Sequence, residues 1–276
     1  MKKISYLLLL IITAVLVLSA CGGKDKETEE GHDNHNGSEK ASEDQLATIK
    51  ENGELVIGTE GTYAPFTFHN ESGKLTGFDV EISEEIASRL GVEAKFMETQ
   101  WDAMFPGLDS KRFDMIANQV GIKPERTEKY DFSDPYISSS AVLVTHADNK
   151  DVKGFEDIDG LKSAQSLTSN YGEMAKSYGA ELVGVDGFIQ AIELLNSKRV
   201  DATINDKLTV LDFQKQKPDA KIQIVAEADD AAQSGLMFRK GNETLVEAVN
   251  DALKEMIEDG TYDKISDKWF GENVLE

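Results

Sequence analysis

Leu108-Asp-Ser-Lys-Arg-Phe-Asp-Met-Ile-Ala-Asn118-Gln119 returns 87 residues later as Leu195-Asn-Ser-Lys-Arg-Val-Asp-Ala-Thr-Ile-Asn205-Asp206, identical at six of twelve positions. Each copy reads as the end of a helix, a basic turn and a strand that ends in Asn plus a second polar residue. Ligands of open α/β sheets lie outside the carboxyl ends of the strands. Two such lobes facing one another would line a cleft with Asn118 and Gln119 from one side and Asn205 and Asp206 from the other. A common helix-to-strand connection without functional meaning is the competing reading of the same echo.

The flanking sequence alternates in the same way. Glu54–Gly58 and Phe66–Phe68 read as short strands, and Phe78–Leu90 carries apolar residues at 78, 82, 86, 87 and 90, the spacing of an amphipathic helix closed by Gly91. A strand over Val92–Met97, a helix over Trp101–Leu108 and a strand over Phe113–Ala117 follow. The second half repeats the alternation with a strand at Ser163–Ser166, helices at Tyr171–Tyr178 and Phe188–Leu195, and strands at Lys221–Ala226 and Leu236–Arg239. Two helices, Thr244–Ile257 and Tyr262–Trp269, close the chain. The pattern predicts an α/β fold with mostly parallel sheet.

The chain's first residues belong to a different chemistry. Met1-Lys2-Lys3 precedes an apolar run from Ile4 to Ala20, the layout of a signal peptide over residues 1–20. Leu18-Ser-Ala-Cys21 resembles a bacterial lipobox and holds the sole cysteine, so Cys21 is expected to carry lipid and anchor the chain on the outer face of the cytoplasmic membrane. Residues 21–45 have almost no side chain larger than Ala that is apolar, which predicts a flexible acidic tether. His32 and His35 within it read as solvated linker residues; a metal-scavenging tract is the sharper alternative. With 29 Lys+Arg against 51 Asp+Glu and a formal charge of −22, the chain lacks the basic face that nucleic acid requires.

No zinc-ligand spacing, glycine-rich phosphate loop or nucleophile–base arrangement occurs, so neither metal nor cofactor is expected and the balance tips toward binding. The polar residues present suit a small zwitterion. Arg126, just past the first polar strand end, is a natural partner for an α-carboxylate because its guanidinium makes two parallel hydrogen bonds; a surface ion pair is its ordinary alternative. Asp206, at the second strand end, is placed to neutralise an α-ammonium, and Thr168 and Ser169 stand at a helix N-terminus, where they cap or help to hold an anion. Tyr63, Phe66, Trp101 and Phe105 offer aromatic surface to a pocket or to a core.

Several of these motifs together resemble a known family. Gly77-Phe-Asp-Val-Glu-Ile-Ser-Glu-Glu-Ile-Ala-Ser-Arg-Leu90, Gly58-Thr-Glu-Gly-Thr-Tyr-Ala-Pro-Phe66, Pro124-Glu-Arg126 ahead of Tyr130-Asp-Phe-Ser-Asp-Pro-Tyr136, and Asp259-Gly-Thr-Tyr-Asp-Lys-Ile-Ser-Asp-Lys-Trp-Phe270 resemble the family 3 extracellular solute-binding proteins, the polar amino-acid receptors of ABC importers. Glu98–Phe105, Ala117–Gly121 and Ala164–Tyr171 make the chain most similar to the cystine-binding lipoproteins of Gram-positive bacteria. The resemblance implies a two-lobed, type II periplasmic-binding-protein-like fold with two crossovers near Val142–His146 and Asp229–Ser234, lobe one being 46–142 plus 233–276 and lobe two 146–229. It also implies a monomeric receptor that passes an amino acid, L-cystine foremost, to an ABC permease in the membrane. Carried onto this sequence, Arg126 holds the ligand carboxylate, Asp206 the ammonium, Tyr63 covers the ligand and Glu60 lines the side-chain pocket. Thr168 and Ser169 fall near the second-lobe carboxylate contact, while Trp101, Asn118, Gln119 and Gly121 belong to the first-lobe wall. Secreted dehydratases of prephenate- or arogenate-like acids share this fold, and a surface sensor or adhesin is a further alternative.

Overall fold

The computed structural model describes residues 44–275. The expected signal peptide, Cys21, His32, His35 and all but the end of the expected tether lie outside the described residues. Asp44 caps a helix over Gln45–Asn52, its side chain accepting from the Leu46 N–H.

Two five-stranded sheets organise the body. The first runs from edge to edge through Glu93–Glu98, Glu54–Thr59, Met115–Ile116, Met237–Arg239 and Tyr130–Phe132. The second runs through Glu181–Gly184, Lys162–Gln165, Ala202–Asp206, Ile137–His146 and Ile222–Ser234. Each is parallel on one side and antiparallel on the other, which corrects the expectation of mostly parallel sheet. The physical reason is connectivity: the strands that arrive from the opposite lobe enter without a helical crossover and must run against their neighbours. In both sheets the central strand, at the junction of the parallel and antiparallel sides, is the strand of the repeated motif. A small three-stranded meander, Thr62–Tyr63, Thr67–His69 and Leu75–Thr76, stands beside the first sheet.

The repeated motif is a repeated structure as well. Lys111 and Lys198 both adopt the left-handed conformation, with φ of 59° and 55°. The turn is closed identically, Lys111 N–H to Leu108 C=O and Arg112 N–H to Gly107 C=O in one copy, Lys198 to Leu195 and Arg199 to Leu194 in the other. Asp114 and Asp201 then tie the turn to the neighbouring strand, accepting from the N–H of Val56 and of Lys162 at 3.1 and 2.9 Å. These roles explain why Lys-Arg-x-Asp recurs: a fixed C-terminal stop, then a carboxylate that sets strand register.

The lobes are joined by a two-stranded ribbon in which Ile137–Ser140 pairs with Ala231–Ser234. The expected first crossover at Val142–His146 lies instead inside the second sheet, where Val142–Thr145 pairs with Ala202–Asn205. Val142, Leu143 and Val144 are fully buried; the run is a central strand, and the polar Ser138-Ser139-Ser140 before it makes the passage.

The helix Phe78–Leu90 buries Phe78, Val80, Ile82, Ile86 and Ala87 and ends on Gly91, whose φ is 78°. It packs with the C-terminal helices Glu243–Glu258 and Thr261–Phe270, and Phe78 stands 5.1 Å from the Phe270 ring and 6.1 Å from that of Tyr262. Burying a side chain of this size contributes about 1.5–3 kcal/mol. Its N-terminus is satisfied by the preceding loop, since Phe78 N–H donates to Pro65 C=O and Asp79 N–H to Phe66 C=O. That docking requires Gly77, which has φ of 132° and leaves only 2.2 Å between an added Cβ and the Phe66 carbonyl oxygen. Gly77→Ala should lose about 2–4 kcal/mol of stability through strain and a forced backbone shift, read by urea denaturation; a loss under 1 kcal/mol would show that the loop yields freely.

Candidate functional site

The carboxyl ends of the parallel strands of both sheets converge on one cavity of about 40 Å³. Glu60 follows Glu54–Thr59, Trp101 follows Glu93–Glu98, and Asn118 and Gln119 follow Met115–Ile116. From the second lobe, Ser166, Ser169, Asn170 and Tyr171 follow Lys162–Gln165, Val185, Gly187 and Phe188 follow Glu181–Gly184, and Asn205 lies at the end of Ala202–Asp206.

Six of the ten candidate ligand residues line this cavity: Glu60, Tyr63, Trp101, Asn118, Gln119 and Ser169. Asn118 orders the first-lobe wall. Its Oδ1 accepts from the Glu60 N–H at 2.8 Å and its Nδ2 donates to Glu60 Oε2 at 2.6 Å. Gln119 has φ of 54° and is held there by Asp79, which accepts from its backbone N–H at 3.1 Å and from its Nε2 at 2.7 Å. Tyr136, beside the inter-lobe ribbon, donates its hydroxyl to the same Asp79 carboxylate at 3.0 Å. Tyr63 donates across the cleft to Asn205 Oδ1 at 2.8 Å. The buried Trp101 indole N–H has no acceptor among the described residues. Ser169 caps the helix Asn170–Ser177, accepting from the Gly172 N–H.

Gly121, Arg126, Thr168 and Asp206 stand behind or beside that wall. Arg126 is 8% exposed yet meets no carboxylate at ion-pair distance among the described residues. Its Nη1 donates to Gly121 C=O at 3.0 Å, and its guanidinium lies 5.7 Å from the Trp101 ring centroid and 5.4 Å from that of Phe105. Burial lowers its pKa, opposed by the nearby Glu173 and Glu125 carboxylates; a guanidinium stays charged through such a shift. Asp206 caps the helix Lys207–Gln216, accepting from the N–H groups of Leu208 and Thr209, and its other oxygen is 3.4 Å from the Tyr171 hydroxyl. Thr168 is exposed and bonds instead to Asp102 of the first lobe, its hydroxyl donating at 2.6 Å. Lys123 reaches across to Glu173 at 2.5 Å.

Asn170, Tyr171, Phe188 and Asp79 were absent from the candidate set. Asn205 was present only through the repeat, as the counterpart of Asn118. Asp79 had a usable signal, a charged residue directly after Phe78 on the face of a helix that packs inward. Phe188 had none, since it reads as an ordinary core residue at a helix start.

A buried cation without a carboxylate, Arg126, and a buried carboxylate without a cation, Asp206, thus stand beside the cavity, one from each lobe. The model of the bacterial extracellular solute-binding proteins, family 3, matches residues 55–272. This chain belongs to that family. The L-cystine-binding protein TcyA of Bacillus subtilis is 49% identical over 99% of each chain. Among solved structures, the L-cystine solute receptor of Neisseria gonorrhoeae in the unliganded open conformation shares 49% identity and a TM-score of 0.56, over 84% of this chain and 99% of that one. An ancestral arginine-binding protein bound to glutamine shares 40% identity and a TM-score of 0.77, over 80% of this chain and 99% of that one.

Three buried acids surround the site. Desolvation raises Glu60 to about 7, against a lowering by its bond from Asn118. Desolvation likewise lifts Asp79 to about 7 and Asp206 to about 6, each against lowering by the hydrogen bonds it accepts. All three hold a proton more tightly folded than unfolded, so the folded state binds more protons across pH 5–7 and stability rises as pH falls through that window. The acids held low by surface partners, Asp259 at about 2 among them, titrate below it. Without added ligand, the melting temperature should therefore be higher at pH 5.5 than at 7.5, with Asp79→Asn flattening the slope. An unchanged slope in that variant would remove Asp79 from the account.

Proposed function

We propose that this chain is the extracellular receptor of an ABC amino-acid importer, with L-cystine as its ligand, and that it binds and releases the ligand unchanged. The observation that carries the reading is Arg126, a buried guanidinium whose one hydrogen-bond acceptor among the described residues is a backbone carbonyl. An α-carboxylate is its complement, taken through the fork. Asp206 receives the α-ammonium, with the Tyr171 hydroxyl between the two lobes' charges. Tyr63 and Trp101 cover the ligand, Asn118 and the backbone around Gln119 and Gly121 form the first-lobe wall, and the helix N-terminus at Ser169 faces the carboxylate from the second lobe. In this reading Thr168 contributes closure through its bond to Asp102.

Residues 46–136 and 235–275 act as one lobe and 141–229 as the other, hinged at the ribbon. The match in shape to the glutamine-bound ancestor exceeds that to the unliganded open receptor of higher identity, and Tyr63–Asn205, Thr168–Asp102 and Lys123–Glu173 bridge the lobes. Both support a closed arrangement, in which ligand would be sealed between the lobes. The cystine assignment draws on the whole-chain likeness to TcyA.

Arg126→Ala should weaken L-cystine binding by about 2–5 kcal/mol, because the ligand carboxylate would be buried without its ion partner. Arg126→Lys should recover little, since one point charge does not reproduce the fork. Calorimetry under non-reducing conditions measures both, and tighter binding of arginine or histidine than of cystine would overturn the ligand while leaving an amino-acid receptor.

Cys21 carries the anchor in the same proposal, following the Leu18-Ser-Ala-Cys21 motif. Cys21→Ala should abolish palmitate labelling, because the residue that would carry the lipid is gone. Unchanged labelling would refute lipidation at this position.

A further inference from the structure

Gln119 lines the cavity, and its side-chain amide has a fixed direction. Nε2 donates to Asp79 Oδ1 at 2.7 Å and to the Tyr136 hydroxyl at 3.3 Å, which engages both of its hydrogens. Oε1, on the other arm of the same planar group, accepts no hydrogen bond among the described residues. Asp79 leaves the amide no second orientation. It is fully buried on the helix Phe78–Leu90, and an ionised carboxylate accepts without donating. Three donors converge on it: the Gln119 backbone N–H at 3.1 Å, Gln119 Nε2 and the Tyr136 hydroxyl at 3.0 Å. Turning the amide over would set Oε1 against that carboxylate, two acceptors face to face in a buried site.

A ligand ammonium needs what Oε1 offers, because it carries three N–H donors and no acceptor. Asp206, on the second lobe, already accepts at Oδ1 from the N–H groups of Leu208 and Thr209, and its Oδ2 lies 3.4 Å from the Tyr171 hydroxyl. Asn205 Oδ1 is likewise taken, by Tyr63 at 2.8 Å and by the Asp206 N–H at 2.9 Å. An ammonium on Asp206 therefore has donors left over, and a neutral oxygen on the facing wall is their complement. Burial raises the Asp79 pKa and the Asp206 charge adds to the rise, so the two carboxylates share one desolvated region. Gln119 belongs to that region, touching Asp79 and lining the cavity.

We propose that Asp79 is a positioning residue that sets ligand recognition: by fixing the Gln119 amide it presents Oε1 to the ligand's ammonium, as the first-lobe acceptor opposite Asp206. Asp79 acts through Gln119 and makes no contact with the ligand itself. The inference rests on the amino-acid receptor reading and deepens it, since it assigns the polarity of the first-lobe wall to a carboxylate one layer behind that wall.

The test uses the full mature protein at pH 8, above the Asp79 pKa of about 7, with calorimetry on L-cystine under non-reducing conditions and urea denaturation of each variant. Asp79→Asn offers Gln119 a donor, so the amide turns over and aims Nε2 at the ammonium; binding should weaken at least tenfold. Gln119→Glu alone sets two carboxylates together and should weaken it as well. The double variant Asp79→Asn, Gln119→Glu matches donor to acceptor again with an oxygen toward the ligand, and should bind at least fivefold more tightly than either single variant. A purely structural role would not move the amide's own signal. In protein labelled with 15N-glutamine, the Gln119 side-chain resonances, identified by their loss in Gln119→Met, should move less on ligand saturation in the wild type than in Asp79→Asn. An equal or larger movement in the wild type overturns the proposal, as does a double variant no tighter than the better single one, or a folded Asp79→Asn protein with wild-type affinity. Should Asp79→Asn fail to fold, Gln119→Met decides, because it removes Oε1 and keeps Asp79; wild-type affinity there overturns the proposal. If the wild type binds another amino acid and not cystine, the same variants are read with that ligand, whose ammonium is the same group. Failure of the wild type to bind any amino acid overturns the receptor reading instead.

Discussion

The ribbon formed by Ile137–Ser140 and Ala231–Ser234 is the constraint on which the rest of the body depends. Each of its strands continues into a sheet, and each sheet thereby gains antiparallel members beside its parallel half. The central strand of each sheet is left with a parallel neighbour on one side and an arriving strand on the other. The carboxyl end of that strand is where an α/β sheet offers a ligand site. Because both strands pass together, the two open ends face each other.

The same arrangement controls the electrostatics. A cleft between lobes removes water from Arg126, Glu60 and Asp206 without bringing them into contact with one another as ion pairs. Isolated buried charges are costly, and here the cost is moderated by backbone and side-chain dipoles: the Gly121 carbonyl and two aromatic rings for Arg126, two helix N–H groups for Asp206, an amide for Glu60. Asp79 extends the pattern by one layer. It joins the left-handed Gln119 of the cavity wall to Tyr136 beside the ribbon, and Tyr136 in turn accepts at its carbonyl from the Tyr262 hydroxyl at 2.6 Å. The cavity wall, the ribbon and the C-terminal helices are thus one hydrogen-bonded chain.

Much of this was legible in the sequence where a local rule acts. The helix Phe78–Leu90 followed from apolar spacing and a terminal glycine, and the repeated motif marked both central strands because its turn and its carboxylate do the same work twice. The passage between lobes was not legible, since Val142–Thr145 is indistinguishable in composition from any buried strand and its pairing partner lies about 60 residues away. Four candidates, Gly121, Arg126, Thr168 and Asp206, lie off the cavity lining, because sequence spacing locates a strand end but not the direction in which a side chain leaves it. Phe188 and Asn170 entered the wall through tertiary packing alone.

Much of the wall is assembled from polar residues in loops that follow strands, while Tyr63, Trp101, Ala164, Phe188 and Ala191 belong at once to the wall and to the buried clusters. The polar part of the wall is consequently separable from folding, and the aromatic part is not. A substitution at Asn170 or Ser166 changes the lining and leaves the sheets, the ribbon and the duplicated turn untouched, whereas one at Phe188 reaches the core as well. The ancestral arginine-binding relative, whose structures contain arginine in one case and glutamine in the other, shows that one lining on such a scaffold can accept side chains of different charge.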